Sequence, residues 1–358
     1  MATTNDLKLN HRRSKNFLGV KTPDDLNKVI EEGKFPELVQ ISEAYQDKRL
    51  VEIAQEIYDG KHRVVLLAGP SASGKTTITK KLCTQLKVLG LDPLYMGTDD
   101  YFVEREQNPV DENGNYNFED LDALDVDLFN RNIISLLKGE EVDLPTFDFI
   151  TGHKEYGKRI TSIKRSQIIV IEGIHALNDE LTPNIRQHQK YKIFVCPVPA
   201  LMDTNKDLKP IDQRILRRMV RDNQFRGHRA SATIKAWPSV RKGEEKNIFP
   251  FREEANVSFN TSHVYEVPVL KKYAEPILNE IGPEEPEYEE AQKILRFLAD
   301  FDTYEDDSVV PNDSIIREFI GGSVYASEDP MTGKKTFVGT NYMIRNIQNF
   351  MKDGQSAK

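Results

Sequence analysis

From residue 63 onward, short and mainly apolar runs alternate with longer stretches in which apolar residues return every three or four positions. Residues 63–68, 93–97, 167–171 and 192–196 are such runs. They have strand length and are too continuous for a sheet with one wet face. Residues 74–89 and 125–138 have helical spacing, the second with Phe129, Ile133, Leu136 and Leu137 along one side. This alternation predicts an α/β fold with a doubly wound, mainly parallel sheet covered on both faces. Within it, 142–163 reads as a β-hairpin insertion with its tip near 151–157. Residues 211–220 read as an amphipathic helix and 264–270 as one further strand.

The flanks differ. Residues 1–20 are polar and are expected to be poorly ordered. Thr22, Pro23, Asp24 and Asp25 then form a helix start, with Gly33 as its stop. A second helix is expected over 36–59, where Leu50, Ile53, Ala54 and Ile57 repeat at helical spacing before Gly60. Beyond Pro283 the chain turns acidic, with a helix to about residue 301, an Asp-rich loop and a short helix near 315–319. A hairpin and a terminal helix are expected after that. The expected organisation is a helical N-terminal extension (1–60), a core (61–275) and a C-terminal helical extension and tail (276–358).

Charge and composition narrow the class. The 358 residues include 49 Lys and Arg against 57 Asp and Glu, a net charge of −8, so a broad nucleic-acid surface is not expected. Cys83 and Cys196 make no disulfide framework and fit a reducing, cytoplasmic setting. No Cys/His spacing suggests zinc, and no apolar run has membrane length. Lys8, His11, Arg12, Arg13 and Lys15 are read as a basic arm rather than an organelle presequence.

The chemistry starts at residues 69–76, where Gly69, Pro70, Ser71, Ala72, Ser73, Gly74, Lys75 and Thr76 satisfy G-x-x-x-x-G-K-[ST] between an apolar strand and a helix. Such a loop points its amides at phosphate oxygens, with Lys75 reaching the β- and γ-phosphates and the Thr76 hydroxyl on Mg²⁺. The expected fold is therefore of the P-loop NTPase type, with ATP and Mg²⁺ as cofactors. Glu172 ends one buried strand, while Asp99 and Asp100 follow another, all at the sheet edge where ligands sit. Asp99 is the candidate general base, with Tyr101 and Phe102 as apolar wall. Glu172, Thr76 and Asp99 are the candidate metal ligands.

Arg214, Arg217, Arg218 and Arg221 fall at i, i+3, i+4 and i+7, followed by Arg226 and Arg229. Arginines in this number suit bidentate phosphate contacts, so 211–229 is expected to act as a lid. Phe147 and Phe149 alternate along the hairpin, with His153 near its tip. They read either as core or as a platform for a flat base, and Tyr116, Phe118 and Glu119 offer further contacts.

Taken together, residues 64–270 resemble the uridine kinase/phosphoribulokinase family of P-loop kinases. The resemblance is carried by 69–77, Asp99-Asp100-Tyr101-Phe102, Asn117-Phe118-Glu119, Pro145-Thr146-Phe147-Asp148-Phe149, Ile171-Glu172-Gly173, and Leu216-Arg217-Arg218 through Arg226-Gly227. It implies Asp99 as base, with Lys75, Arg218 and Arg221 as catalytic partners. It implies ATP on Gly69, Ser71, Ala72, Ser73, Gly74, Lys75, Thr76, Thr77 and Arg226. Tyr101, Phe102, Glu119, Phe147, Phe149, His153 and Arg217 are the implied substrate contacts. Glu119 stands where uridine–cytidine kinases usually carry Asp, and Gly152 where they carry His. Residues 237–241 and 248–251 look closest to a uridine-kinase-like subgroup whose members often carry a threonyl-tRNA-synthetase-like N-terminal module, and the 60 residues before the core are expected to leave no room for a complete one.

The expected reaction is phosphorylation of the uridine or cytidine 5′-hydroxyl by Mg·ATP, with a small nucleoside as partner and a homo-oligomer compatible with the sequence. Alternatives are a kinase for another nucleoside, a sugar phosphate or a pantothenate-like hydroxyl, an ATP-gated binding protein with a relict site, and an RNA-associated protein.

Overall fold

Alternating side chains along the apolar strands divide the interior into two cores. The computed structural model describes residues 17–110, 116–148, 151–198, 201, 212–328 and 335–336. Its chain order opens with α1 (Pro23–Glu31), α2 (Phe35–Asp59), β1 (Val64–Ala68), α3 (Lys75–Val88), β2 (Pro93–Gly97) and α4 (Val126–Lys138). The insertion follows as β3 (Val142–Asp143), β4 (Thr146–Asp148), β5 (His153–Glu155) and β6 (Ile160–Thr161). Next come β7 (Ile168–Glu172), β8 (Lys190–Cys196), α5 (Arg214–Arg226), α6 (Ala230–Asn247) and β9 (Val257–Asn260). The chain continues through α7 (Glu266–Asn279), α8 (Tyr288–Ala299), the single turn α9 (Arg317–Ile320), β10 (Ser327–Glu328) and β11 (Lys335–Thr336).

The main sheet has the order β2-β7-β1-β8-β9, and every neighbouring pair is parallel. On β1, Val65 and Leu67 face a core shared with α2, α3, α5 and the C-terminal segments, while Val64, Leu66 and Ala68 face one shared with α4 and the insertion. The hairpin expectation is met by β3 on β6 and β4 on β5.

Two expectations need correction. Residues 264–270 are not a strand: the fifth strand is β9, and 266–270 open α7. Pro268 sits in the first turn, where a missing N–H breaks no helical bond. Helix α6 was not foreseen, because Pro238 interrupts a weakly periodic sequence. The expected C-terminal hairpin corresponds to β10 paired antiparallel with β11. The terminal helix and the N-terminal arm lie outside the described residues.

The N-terminal helices join the first core through Leu26, Phe35, Leu38, Ile53 and Ile57. Thr22 caps α1 as expected. Its hydroxyl accepts from the Asp25 amide at 3.2 Å while the Asp25 carboxylate accepts from the Thr22 amide at 3.0 Å. Thr22→Ala is therefore expected to lower stability by about 1 kcal/mol in urea unfolding; an unchanged midpoint would show that the cap is dispensable.

Candidate active site

At the end of β1 the chain turns so tightly under β8 that a Cβ on Gly69 would lie 1.9 Å from the Val195 carbonyl oxygen. Only glycine fits there. Ala72 and Gly74 take positive φ, 56° and 82°, and curl the loop into the start of α3. The Ile78 amide is bonded back to the Gly74 carbonyl at 3.0 Å. The amides of Lys75, Thr76 and Thr77 ahead of it have no intrahelical acceptor and lie at the positive end of the helix, which makes them an anion cradle. The Lys75 ammonium donates to the Pro70 carbonyl at 3.1 Å. Burial lowers its pKa, against the opposing pull of Glu172, Glu318, Asp99 and Glu244.

Glu172 stands opposite Leu67 on β1 and Gly97 on β2, which brings it to the phosphate loop. It accepts from the Thr76 hydroxyl at 3.3 Å and from the Tyr95 hydroxyl at 2.9 Å. A hydroxyl beside a carboxylate gives two hard oxygen donors. That set fits Mg²⁺, which keeps most of its shell as water and substrate phosphate. Among the described residues no group of three or more His, Cys, Asp or Glu is placed to hold a metal without such help.

Asp99 lies in a short turn after β2. Burial, then the neighbouring Glu172 and Asp100, push its carboxyl up to about 7, with Lys75 opposing. A carboxylate poised there can take a proton from a hydroxyl near neutral pH. Asp100 has a separate job, since its carboxylate accepts from Arg159 of the insertion at 2.5 Å and ties the hairpin to the sheet edge.

Helix α5 sorts the arginines into two groups. Arg218 donates to the Ser71 hydroxyl at 2.7 Å. Arg218, Arg221 and Arg226 gather on Asp222 at 3.3, 3.2 and 2.8 Å. Among the described residues Asp222 is the only carboxylate paired with these three, so two guanidinium charges beside the loop are left without a paired anion. The Arg226 Nε is buried without a hydrogen-bond partner. Burial and the neighbouring Arg221 lower the Arg226 pKa to about 9. An excess of buried positive charge next to a phosphate cradle favours a polyanion.

Arg217 belongs to the other group. It is fully buried, paired with Glu266 at 2.5 Å and donating to the Thr261 carbonyl at 2.7 Å. Its guanidinium, expected to contact substrate, here fastens α5 to α7 and donates to the Ala72 carbonyl of the phosphate loop at 3.4 Å. Arg214 is likewise held by Glu244 and Asp212.

The aromatics divide less favourably. Tyr101, Phe102 and Phe147 are buried at 2%, 2% and 6% exposure in the second core. Tyr101 accepts from Asn132 at 3.1 Å, and the Phe102 and Phe147 rings meet each other. Core packing, rather than an open platform, describes these three. Phe149 lies outside the described residues. His153 is exposed on the hairpin, its Nδ1 2.6 Å from Glu104. Glu119 faces α6, where a Cβ on Gly243 would meet its carboxylate at 1.5 Å. Burial and then Glu244 push its carboxyl up to about 7.

Glu244 of α6 is a residue that sequence reasoning missed. Its Oε1 accepts from the Ser71 amide at 2.9 Å and from Arg214 at 2.6 Å, latching α6 onto the phosphate loop. No local pattern marks it, because its partner lies 173 positions away.

Residues 64–268 match the model of the phosphoribulokinase/uridine kinase family. Among curated relatives, a uridine kinase of Chlamydia pneumoniae is 31% identical over 195 residues, covering 54% of this chain and 79% of its own. A uridine kinase of Chloroflexus aggregans is 31% identical over 199 residues, covering 55% and 85%. A solved structure described as a possible uridine kinase of Bacillus stearothermophilus overlays at a TM-score of 0.38 with 21% identity, covering 60% of this chain and 98% of that one.

Proposed function

This chain belongs to the phosphoribulokinase/uridine kinase family, a phosphotransferase family, and from that premise we propose that it moves the γ-phosphoryl of Mg·ATP to the 5′-hydroxyl of uridine or cytidine. The observation that carries the reading is a cluster of three arginines on one carboxylate, joined to the phosphate loop through Arg218 and Ser71, with an aspartate near Lys75 whose carboxyl is pushed up to about 7. The relatives named uridine kinase support the acceptor.

The loop amides and Lys75 hold the β- and γ-phosphates, while Arg218 and Arg221 neutralise charge that spreads over the transferring group in a loose transition state. Arg226 supports the triphosphate from the end of α5. Asp99 orients the acceptor hydroxyl and takes its proton as the new P–O bond forms and the bond to the leaving ADP oxygen breaks. The Thr76 hydroxyl and the Glu172 carboxylate would hold Mg²⁺, which supplies further charge neutralisation when bound. Glu119 and His153 contact the nucleoside in this reading. Both cysteines are unpaired, and no helix among the described residues is long and apolar enough to cross a membrane. The unpaired cysteines suit a cytoplasmic setting.

The test is ADP release with Mg·ATP across ribonucleosides, sugar phosphates and pantothenate. Turnover is expected with uridine or cytidine. Turnover confined to another acceptor would overturn the substrate assignment, and none with any acceptor despite ATP binding would overturn phosphoryl transfer.

A further inference from the structure

The phosphate loop is contacted by a part of the chain well outside the family match. That match ends at residue 268, yet α9, some fifty residues later, packs against α5. Ile315 presses on the loop itself, its Cγ2 2.6 Å from where a Cβ on Gly74 would lie. Glu318 is 7% exposed and accepts a hydrogen bond from the Thr77 hydroxyl at 2.9 Å. Phe319 lies under the Arg217 guanidinium at 5.4 Å. Ser314 meets the Tyr265 hydroxyl at 3.1 Å, and its own hydroxyl accepts from the Ile316 amide at 3.1 Å, so the segment is anchored where it enters the site.

We propose that Glu318 is a positioning residue of the nucleotide site, through which the C-terminal extension orders the first turn of α3 and the end of α5. Thr77 follows the loop's Lys-Thr pair. With its hydroxyl proton committed to Glu318, its rotamer is held and its amide stays aimed into the cradle. Glu318 also bears electrostatically on Lys75 of the phosphate loop and on Arg226 at the end of α5. Its charge offsets part of the arginine excess at Arg226. The extension is thus an integral wall of the site.

The inference rests on the loop being the triphosphate site, as proposed above, but not on the identity of the acceptor. The experiment is titration of the full chain with Mg·ATP alone, without any acceptor, followed by ATP-dependent kinetics. Loss of one well-placed hydrogen bond should weaken Mg·ATP binding about tenfold in Glu318→Ala, and equally in Thr77→Val. The double variant should be no weaker than either single, since both remove the same contact. Glu318→Gln, whose amide oxygen still accepts from Thr77, should recover most of the affinity. KM for ATP should rise by a larger factor than kcat falls.

Unchanged ATP affinity in a folded Glu318→Ala would overturn the proposal, as would multiplicative losses in the double variant or a fall in kcat at constant KM. If Glu318→Ala does not fold, Thr77→Val, which is nearly isosteric, decides alone by the same readouts. Failure of uridine or cytidine turnover leaves this binding test intact, so the two proposals fail separately.

Discussion

Asp99→Asn is expected to slow phosphoryl transfer by roughly 10²- to 10⁴-fold, the range associated with losing a positioned general base. ATP affinity should stay close to wild type. Because the Asp99 carboxyl sits at about 7 in the free protein, wild-type kcat/KM should rise with pH and level off above about 7. The residual activity of the variant should lack that limb. The same shift has a consequence for stability with a definite sign. The folded state holds the Asp99 proton more tightly than the unfolded state, whose value is near the ordinary 3.8. Wild-type stability is therefore lost as pH rises between about 3.8 and 7, and the loss is complete above that window. Asp99→Asn should melt at a higher temperature than wild type above pH 7, with the gap closing toward pH 4. Equal rates at all pH values would remove Asp99 from the base role, and equal melting curves would show that its carboxylate is not under burial stress.

The second large effect separates two adjacent arginines. Arg217→Met leaves Glu266 buried at 1% exposure without its partner. Breaking one side of such a pair costs about 3–5 kcal/mol, so its urea midpoint should fall sharply. Arg218→Met removes one of three guanidiniums around Asp222 and a contact to Ser71. It should leave the midpoint near wild type while lowering kcat by about 10³-fold, as expected for a cation that stabilises the transferring phosphoryl group. An Arg217 variant of wild-type stability with a selective kinetic defect would return that residue to the substrate. A normal rate in the Arg218 variant would take it out of the transition state.

These arginines also mark the limit of what a single sequence discloses. The i, i+3, i+4, i+7 spacing correctly indicates one helix with a cationic stripe. Consecutive residues on a helix point 100° apart, so Arg217 and Arg218 lie at opposite edges of that stripe. One edge meets Glu266 on α7 and the other meets Ser71 on the phosphate loop. Sequence spacing describes the stripe alone, and the neighbours on either side decide which guanidinium is structural. The aromatics show the same limit. Period-two spacing of Phe147 and Phe149 is common to a core face and a stacking face, and only burial of Phe147 against Phe102 distinguishes them.

The sequence by itself determined four of the five parallel strands, the phosphate loop and the acids at strand ends, because each rests on short-range physics. Continuous apolar runs need two covered faces, and loop glycines meet local steric demands. A carboxylate ending a strand takes its place from the register of that strand. Tertiary structure alone decided the rest: that 266–270 begin a helix, that Arg217 is an anchor, that Glu244 latches α6 to Ser71, and that Glu318 reaches Thr77 from 241 positions away. Such contacts depend on how separate elements pack, and neither partner's local sequence carries the address of the other.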